Sequence, residues 1–264
     1  MPVKVNVVLR TCDKVSLADN RIYPKKEVIE RCLNSLVKSL DNHGNYSLHI
    51  IDDNSTNETK DIIQKIANKA TFNFLPERDH KHLNNKQKSR YSVKVAYDYI
   101  DTLPEDELVY IVEDDYLHYL NSINVMVSTW EHFQNLFNQL NIGIFPQDFF
   151  ELHYHEKNHH NNVYVRPCIT LIGPDRYYRT TWFTHESFMV QKKIITKYKN
   201  DFNKLLLIGE IEGMWEGLSL SNVWEEKDFL MLMPMKTLAL HISKKEDIPF
   251  YCDDLENLWE QNKL

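Results

Sequence analysis

The stretch Leu108-Val-Tyr-Ile-Val-Glu-Asp-Asp115 joins five apolar residues to three carboxylates. A short apolar run without helical spacing is typical of a strand that is buried on both faces of a sheet. Three adjacent carboxylates repel one another unless a positive charge lies among them. The stretch therefore predicts a buried strand that ends in a charged site.

Upstream of this stretch, strand patterns alternate with helix patterns. The helix from Lys25 to Leu40 is predicted by apolar residues at helical spacing, and a second helix is expected where Ser55 and Glu58 form an S-x-x-E capping pattern. A third helix is predicted around Val95–Ile100. The predicted strands are Val3–Leu9, Ser47–Ile51, Thr71–Leu75 and Leu108–Val112. This β-α-β-α-β-α-β order predicts an α/β fold with a mostly parallel sheet and helices on both faces.

The second half of the chain is less regular. Helices are predicted at Asn121–Leu140 and Ser187–Tyr198, and a short terminal helix is expected after Asp253. Strands are predicted at Val163–Ile172, interrupted by Pro167, and at Thr237–Ile242. No repeat or linker separates the halves. We therefore expect a single domain over 1–264, with a ligand-binding half at 1–118 and a smaller half at 119–264.

Composition narrows the function classes. The net charge of −7 disfavours a nucleic-acid partner, because phosphate contacts need clustered Lys and Arg. The six glycines form no dinucleotide or P-loop fingerprint. The four cysteines are far apart and form no CxxC pair, which predicts reduced thiols and a cytoplasmic location. No apolar run reaches the ~18 residues that a transmembrane segment needs.

Acidic residues follow three of the first four predicted strands: Asp13, Asp52-Asp53 and Glu113-Asp114-Asp115. Each could simply cap the next helix. In a parallel sheet, however, ligands bind where the loops beyond the carboxyl ends of the strands converge. A hard divalent cation that uses one or two carboxylates together with phosphate oxygens is a suitable partner for such acids. The pattern indicates a site for a metal and a diphosphate.

These residues resemble a known family. Asp52-Asp53-Asn54-Ser55 after one strand, and the acidic triplet after the fourth, are similar to motifs of the inverting GT-A glycosyltransferases of family 2. The resemblance covers roughly 3–118 well and the remainder loosely. It implies a Rossmann-like GT-A sheet with an acceptor-binding second half and a nucleotide-sugar donor. The Gln-x-x-Arg-Trp motif of processive synthases is absent, which favours transfer of a single sugar.

The resemblance also implies roles for individual residues. A carboxylate can accept the ring N–H of uracil or thymine, so a UDP- or dTDP-sugar is expected. The implied ligand of the metal, Mn²⁺ or Mg²⁺, is Asp115. Glu113 of the same triplet and the late histidine His241 are implied as further ligands. The residues implied for the nucleotide are Thr11, Asp13 and Asp53 at the base, Asp114 near the ribose, and Arg90 nearby.

The catalytic base is expected in Gly209-Glu-Ile-Glu-Gly213, where the family carries an acid. Residues two apart on a helix point in different directions, so Glu210 and Glu212 cannot easily reach the same hydroxyl. Glu210 is the first candidate and Glu212 the second, although both could instead be acids that start a helix. On a helix, Gly209, Gly213 and Gly217 would share one face.

These observations predict a metal-dependent glycosyltransferase that moves one sugar to a hydroxyl of a carbohydrate or glycoconjugate acceptor, with inversion. Two alternatives remain open. A nucleotidyltransferase also combines a nucleotide, carboxylates and Mg²⁺ on an α/β sheet. A catalytically inactive module that binds a sugar nucleotide or a carbohydrate would also explain the acidic strand ends.

Overall fold

The computed structural model of the chain describes residues 2–14, 22–78, 83, 85–148, 168–211, 216–243, 248–249 and 251–264. Within these residues, nine strands form one sheet and two more form a separate small sheet. The strands are β1 Val5–Thr11, β2 Tyr46–Asp52, β3 Thr71–Phe74, β4 Leu108–Glu113, β5 Tyr116–His118, β6 Asn141–Ile144, β7 Thr170–Ile172, β8 Tyr177–Thr180, β9 Phe188–Gln191, β10 Phe229–Pro234 and β11 Ala239–His241.

Helices connect these strands and pack against them. Four belong to the first half of the chain or join it to the second: α1 Lys25–His43, α2 Asn57–Ile66, α3 Asn85–Ile100 and α4 Ser122–Leu136. The others are α5 Lys192–Lys197, α6 Lys199–Lys204, a 3₁₀ turn at Leu205–Leu207, α7 Glu216–Trp224 and α8 Leu255–Gln261.

The large sheet has the strand order β3-β2-β1-β4-β9-β6-β10-β8-β7. Strands β3, β2, β1 and β4 pair in parallel, and β6 pairs with β10 in parallel. Strand β9 is antiparallel to both β4 and β6, so β6 and β10 run in the same direction as β4. The carboxyl ends of β1, β2, β4, β6 and β10 therefore lie at one edge, which we call the carboxyl edge. The expected mostly parallel α/β fold is confirmed.

Alternate residues of the central strands enter two separate cores. Val7 and Tyr110 pack on the face covered by α1, α2 and α4, whereas Val8 and Ile111 pack on the face covered by α3 and α5 to α7. Both faces of β1 and β4 are thus buried. This burial explains why their sequences are apolar without a period of two.

The predicted elements of the first half are confirmed within a few residues. The start of α2 differs in detail, because its N-cap is Thr56, whose hydroxyl accepts from the Thr59 backbone N–H. Ser55 has another task, since its hydroxyl accepts from the Asp13 backbone N–H at 3.0 Å. The capping pattern therefore predicted the correct helix but placed its N-cap one residue too early.

The second half corrects two predictions. Ser187–Tyr198 is not one helix, because Phe188–Gln191 forms strand β9 and only Lys192–Lys197 is helical. The helix predicted to reach Leu140 ends at Leu136, and Asn141–Ile144 forms β6. Both strands lie inside the sheet, where burial on two faces removes any periodic signal. The terminal helix is confirmed as α8. The first half of the predicted Val163–Ile172 strand lies outside the described residues, and its end forms β7 at Thr170–Ile172.

The small sheet consists of β5 and β11, paired antiparallel. Its register places His241 opposite Tyr116, directly after the acidic triplet, and Ala239 opposite His118. The strand predicted at Thr237–Ile242 is thereby confirmed in a shorter form. This pairing returns the end of the chain to the acids that follow β4.

Two further observations concern the cysteines and the question of a membrane span. Cys12, Cys32, Cys168 and Cys252, all among the described residues, form no disulfide bond. Across the described residues, no helix combines the length and the apolar character that crossing a membrane requires.

Candidate active site

The loop after β1 connects the acidic ends of β2 and β4. The backbone N–H of Cys12 donates to Asp114 Oδ2 at 3.0 Å, and the Cys12 thiol contacts the Asp53 carbonyl at 3.2 Å. The Asp53 backbone N–H donates to the Thr11 carbonyl at 2.8 Å. The two acidic clusters, remote in the chain, therefore flank one loop at the carboxyl edge.

Asp13 binds the start of α2. Its carboxylate accepts from the backbone N–H of Thr56 at 3.1 Å, and from the hydroxyls of Thr56 and Thr59 at 2.6 Å each. Burial alone would raise the pKa of Asp13, but these hydrogen bonds lower it. The carboxylate predicted at the nucleobase is thus engaged by a helix terminus.

Asp53 forms an ion pair with Arg78. The Arg78 guanidinium carbon lies 3.9 Å from the centre of the Tyr91 ring, which is 42% exposed. The two residues together present a planar cationic surface beside Asp53. Sequence analysis missed both of them, since a lone cation after β3 and an exposed tyrosine in α3 carry no motif.

Asp114 faces α1 and the β1 loop. It accepts from the Cys12 backbone N–H and pairs with Lys25, the first residue of α1. Both side chains of this ion pair are largely buried. Asp114 therefore holds α1 and the loop after β1 at the carboxyl edge, and its role near the ribose stays a prediction.

The structure brings together two of the predicted metal ligands. His241 Nε2 lies 3.4 Å from Asp115 Oδ1, because β11 pairs with β5. The His241 ring stacks on Tyr116 with centroids 5.0 Å apart, and its backbone N–H donates to Gln147 Oε1 at 2.9 Å. These contacts fix the imidazole against the carboxylate.

This pair fits a cation whose coordination is completed by a substrate. Divalent cations in nucleotide sites commonly use one or two protein ligands, together with phosphate oxygens and water. Among the residues that the structure describes, no three His, Cys, Asp or Glu converge as a complete metal site. Glu113, the third predicted ligand, instead lies 3.4 Å from Arg10.

A buried ion triad lies beside the acidic triplet. Glu186 accepts from Arg10 through one oxygen and from Arg90 through the other, and its side chain is only 4% exposed. Burial would raise the pKa of Glu186, but the two guanidinium groups lower it. Burial and the negative charge of Glu186 raise the pKa of neighbouring Glu113. Arg90, predicted near the nucleotide, is therefore held by the Glu186 carboxylate. The sequence did not indicate this contact.

His185 is buried next to His241, with ring centroids 5.1 Å apart. Burial, aided by His241, lowers the pKa of His185 to about 3. Its imidazole is therefore neutral at physiological pH.

The predicted base Glu210 is exposed and lies in a turn after the 3₁₀ segment Leu205–Leu207. Gly209 precedes it with φ of 90°, a left-handed conformation that favours glycine. Gly209 is therefore not on a helix, so the condition for a common face with Gly213 and Gly217 is not met at Gly209; Gly213 lies outside the described residues. The Leu205 carbonyl accepts from Arg90 at 3.3 Å, which ties this segment to the ion triad. Glu212 lies outside the described residues.

Comparison with known proteins bears on the family and the fold. The family model described as glycosyl transferase family 2 matches residues 20–198, more than half of the chain. No curated protein sequence matches the chain. Similar solved structures include two of TarS from S. aureus, each with 14% identity, a TM-score of 0.50 and 90% of this chain covered. This chain spans 36% of the longer TarS structure and 60% of the one titled 1–349.

Two other likenesses are weaker. The galactosyltransferase LgtC has 8% identity and a TM-score of 0.43, with 86% of this chain and 72% of LgtC covered. The inositol-1-phosphate CTP transferase from T. maritima has 12% identity and a TM-score of 0.45, with 100% and 97% covered. Likenesses at these identities show the fold alone, and TM-scores below 0.5 do not discriminate between the two reactions.

Proposed function

This chain belongs to glycosyltransferase family 2, and on that premise we propose that it transfers a single sugar, with inversion, from a UDP- or dTDP-sugar to a hydroxyl of a carbohydrate or glycoconjugate. The observation that carries the proposal is the pair of Asp115 and His241, 3.4 Å apart at the carboxyl edge. The loop after β1 joins the neighbouring acids Asp53 and Asp114 to the same edge.

Asp115 and His241 would hold the cation. A histidine nitrogen is a poorer ligand for Mg²⁺ than for a transition metal, so we expect Mn²⁺ to support the reaction better. The chemistry that a bound cation supplies here is neutralisation of the charge on the leaving diphosphate. A third protein ligand is not required when phosphate oxygens complete the coordination.

Asp53 is the residue that we assign to the base. Arg78 binds its Oδ1, so Oδ2 is the acceptor for a ring N–H of uracil or thymine. The Arg78 guanidinium, stacked on Tyr91, offers a flat cationic face to a planar ring. Asp13 would act indirectly, by holding α2 and the loop after β1.

Glu210 is the general base of the proposal. Inversion requires a group that takes the proton of the acceptor hydroxyl on the face opposite the leaving diphosphate. A solvent-exposed carboxylate on a turn can approach a bound acceptor. Glu212 is the second candidate for the same step.

The metal assignment is tested by calorimetry with UDP and Mn²⁺. We expect Asp115→Asn to lose at least tenfold in UDP affinity with Mn²⁺ and to show no metal dependence. Asp98→Asn is the control, because Asp98 is exposed on α3 and forms an exposed ion pair with Lys94. Unchanged UDP affinity in Asp115→Asn would remove Asp115 from the metal site.

The product separates the proposed reaction from its alternatives. Glycosyl transfer releases a nucleoside diphosphate from a sugar nucleotide, whereas nucleotidyl transfer releases pyrophosphate from a nucleoside triphosphate, so the two donors are incubated separately. An inactive binding module releases neither, even after overnight incubation with the donor. Detection of pyrophosphate would overturn the proposed reaction while leaving the nucleotide site in place.

A further inference from the structure

A cavity of ≈670 Å³ lies beyond the end of the β5–β11 pair that is remote from Asp115. Its walls come from the residues that follow β5, the turn between β7 and β8, the segment after β10, and 251–254. The volume is within the range of about 300–1,000 Å³ that is typical of small-ligand sites. Neither Asp115 nor His241 lines it, so it is separate from the proposed metal site.

The β5–β11 pair sets the distance between the cavity and Asp115. At the cavity, the Tyr119 backbone N–H donates to the Leu238 carbonyl at 3.2 Å. At the other end, His241 pairs with Tyr116 next to Asp115. Leu238 and His241 are three residues apart, which corresponds to about 10 Å at ~3.3 Å per residue. The strand pair between the two places is buried, so the cavity lies about this distance from Asp115 with the small sheet between them.

A hydrogen-bonded segment also links the two places. Gln147 Oε1 accepts from the His241 backbone N–H at 2.9 Å. The next residue, Asp148, accepts from the Tyr251 hydroxyl at 2.7 Å and pairs with Arg179. Tyr251 lines the cavity. One wall of the cavity is therefore attached to the segment that positions His241.

Two tyrosines in the wall are held in place through their hydroxyls. Tyr119 donates to Asp254 Oδ1 at 2.9 Å, and Tyr251 donates to Asp148 while accepting from the Thr237 backbone N–H at 3.1 Å. These hydrogen bonds hold each ring through its hydroxyl group and do not involve the face of the ring. Rigid aromatic rings with carboxylates nearby suit a sugar, whose C–H face packs on a ring and whose hydroxyls donate to carboxylates.

The charges of the wall select a neutral ligand. Arg176 and Lys236 are balanced by Asp253 and Asp254. Arg176 is further neutralised by Asp175 at 2.7 Å and donates to the Lys236 carbonyl at 2.8 Å. A phosphate or carboxylate ligand would find no net positive charge here. A polyhydroxylated, uncharged ligand does not need a net charge in the wall in order to bind.

We propose that this cavity binds an uncharged oligosaccharide segment of the acceptor that is remote from the reacting hydroxyl. The assignment as an acceptor subsite rests on the proposed function. Binding of the oligosaccharide itself does not, because the cavity contains none of the residues assigned to the donor, the metal or the base.

The test fills the cavity without disturbing the core. Leu120 lines the cavity and is 57% exposed, so Leu120→Trp adds bulk at the rim. Leu136→Trp is the matched control, because Leu136 is 60% exposed at the last position of α4. The probe is a glycan array that carries neutral di- to tetrasaccharides beside uronic-acid and phosphate-bearing glycans, without donor or metal. We expect neutral glycans to bind the natural chain and Leu136→Trp, with at least tenfold weaker binding to Leu120→Trp.

Three results would overturn the proposal: no glycan bound by the natural chain, a preference for anionic glycans, or equal binding by Leu120→Trp. Thermal unfolding checks that Leu120→Trp is folded. Asp253→Ala provides a second variant, because it removes an exposed rim carboxylate, and it should weaken neutral-glycan binding several-fold. Glycan binding without UDP–Mn²⁺ binding would contradict the proposed function alone, and the reverse would contradict the cavity assignment alone.

Discussion

Glu186 shows how much of the site depends on single side chains. It is a buried carboxylate between Arg10 and Arg90, which approach it from β1 and α3. Removing one member of a buried charge set leaves the others without compensation. The sequence separation of Arg10 and Glu186 is 176 residues, so no local pattern could have paired them.

We expect Glu186→Gln to lower the free energy of unfolding by about 3 kcal/mol, since two buried guanidinium groups lose their counter-charge. Urea denaturation measures this loss. Glu58→Gln is the control, because Glu58 forms an exposed pair with Lys26 and should cost less than about 1 kcal/mol. Equal effects of the two substitutions would show that the triad contributes no more than a surface pair.

Glu210→Gln tests the assignment of the base. The amide keeps the size of the side chain but cannot take a proton, so kcat should fall by roughly 10²–10⁴. The UDP–Mn²⁺ affinity, measured by calorimetry, should stay within twofold of the natural chain, which serves as the folding control. Near-normal turnover would transfer the role to Glu212 or to another acid.

At the scale of elements, β9 illustrates why the second half was harder to predict. Phe188, Met189 and Val190 are all buried, because β9 lies between β4 and β6. A three-residue apolar run next to a helix carries neither a period of two nor one of 3.6. The sequence therefore read as one helix, whereas insertion into the sheet made its first residues a strand.

The start of α2 provides a test of Asp13. Asp13→Ala removes the hydrogen bonds from Thr56 and Thr59, so we expect a loss of about 1–2 kcal/mol in the free energy of unfolding. Asp61→Ala, exposed on the same helix, should change stability by less than about 0.5 kcal/mol. Denaturation curves of both variants decide this. If Asp13 serves only the base, stability will be unchanged and only the UDP affinity will fall.

At the scale of the whole molecule, buried histidines set the response to acid. His118 Nδ1 donates to the Tyr116 carbonyl at 2.9 Å, so its Nε2 accepts from the Tyr110 hydroxyl at 2.9 Å. Burial lowers the pKa of His118 to about 4, against 6.5 in an unfolded chain. The unfolded state therefore binds the proton first, and stability that is complete above pH 6.5 is lost as the pH falls towards 4.

This loss amounts to about 3 kcal/mol for His118, at ~1.36 kcal/mol per pKa unit. Urea midpoints measured between pH 6.5 and 4 in the presence of a chelator should fall for the natural chain. The fall should be shallower in His118→Gln and unchanged in His132→Gln, where the histidine is exposed. An identical pH slope in all three proteins would contradict a neutral buried His118.

The amino-acid sequence by itself determined the alternation of strands and helices in the first half. It also placed Asp53 and Asp115 after two strands whose carboxyl ends lie at the same edge of the sheet. It did so because burial on a sheet and capping of a helix leave local patterns of apolar and polar residues. Tertiary structure alone decided which distant groups meet: His241 with Asp115, Arg78 with Asp53, and Glu186 with two arginines. Such contacts depend on strand order and register, which no short window of the chain records.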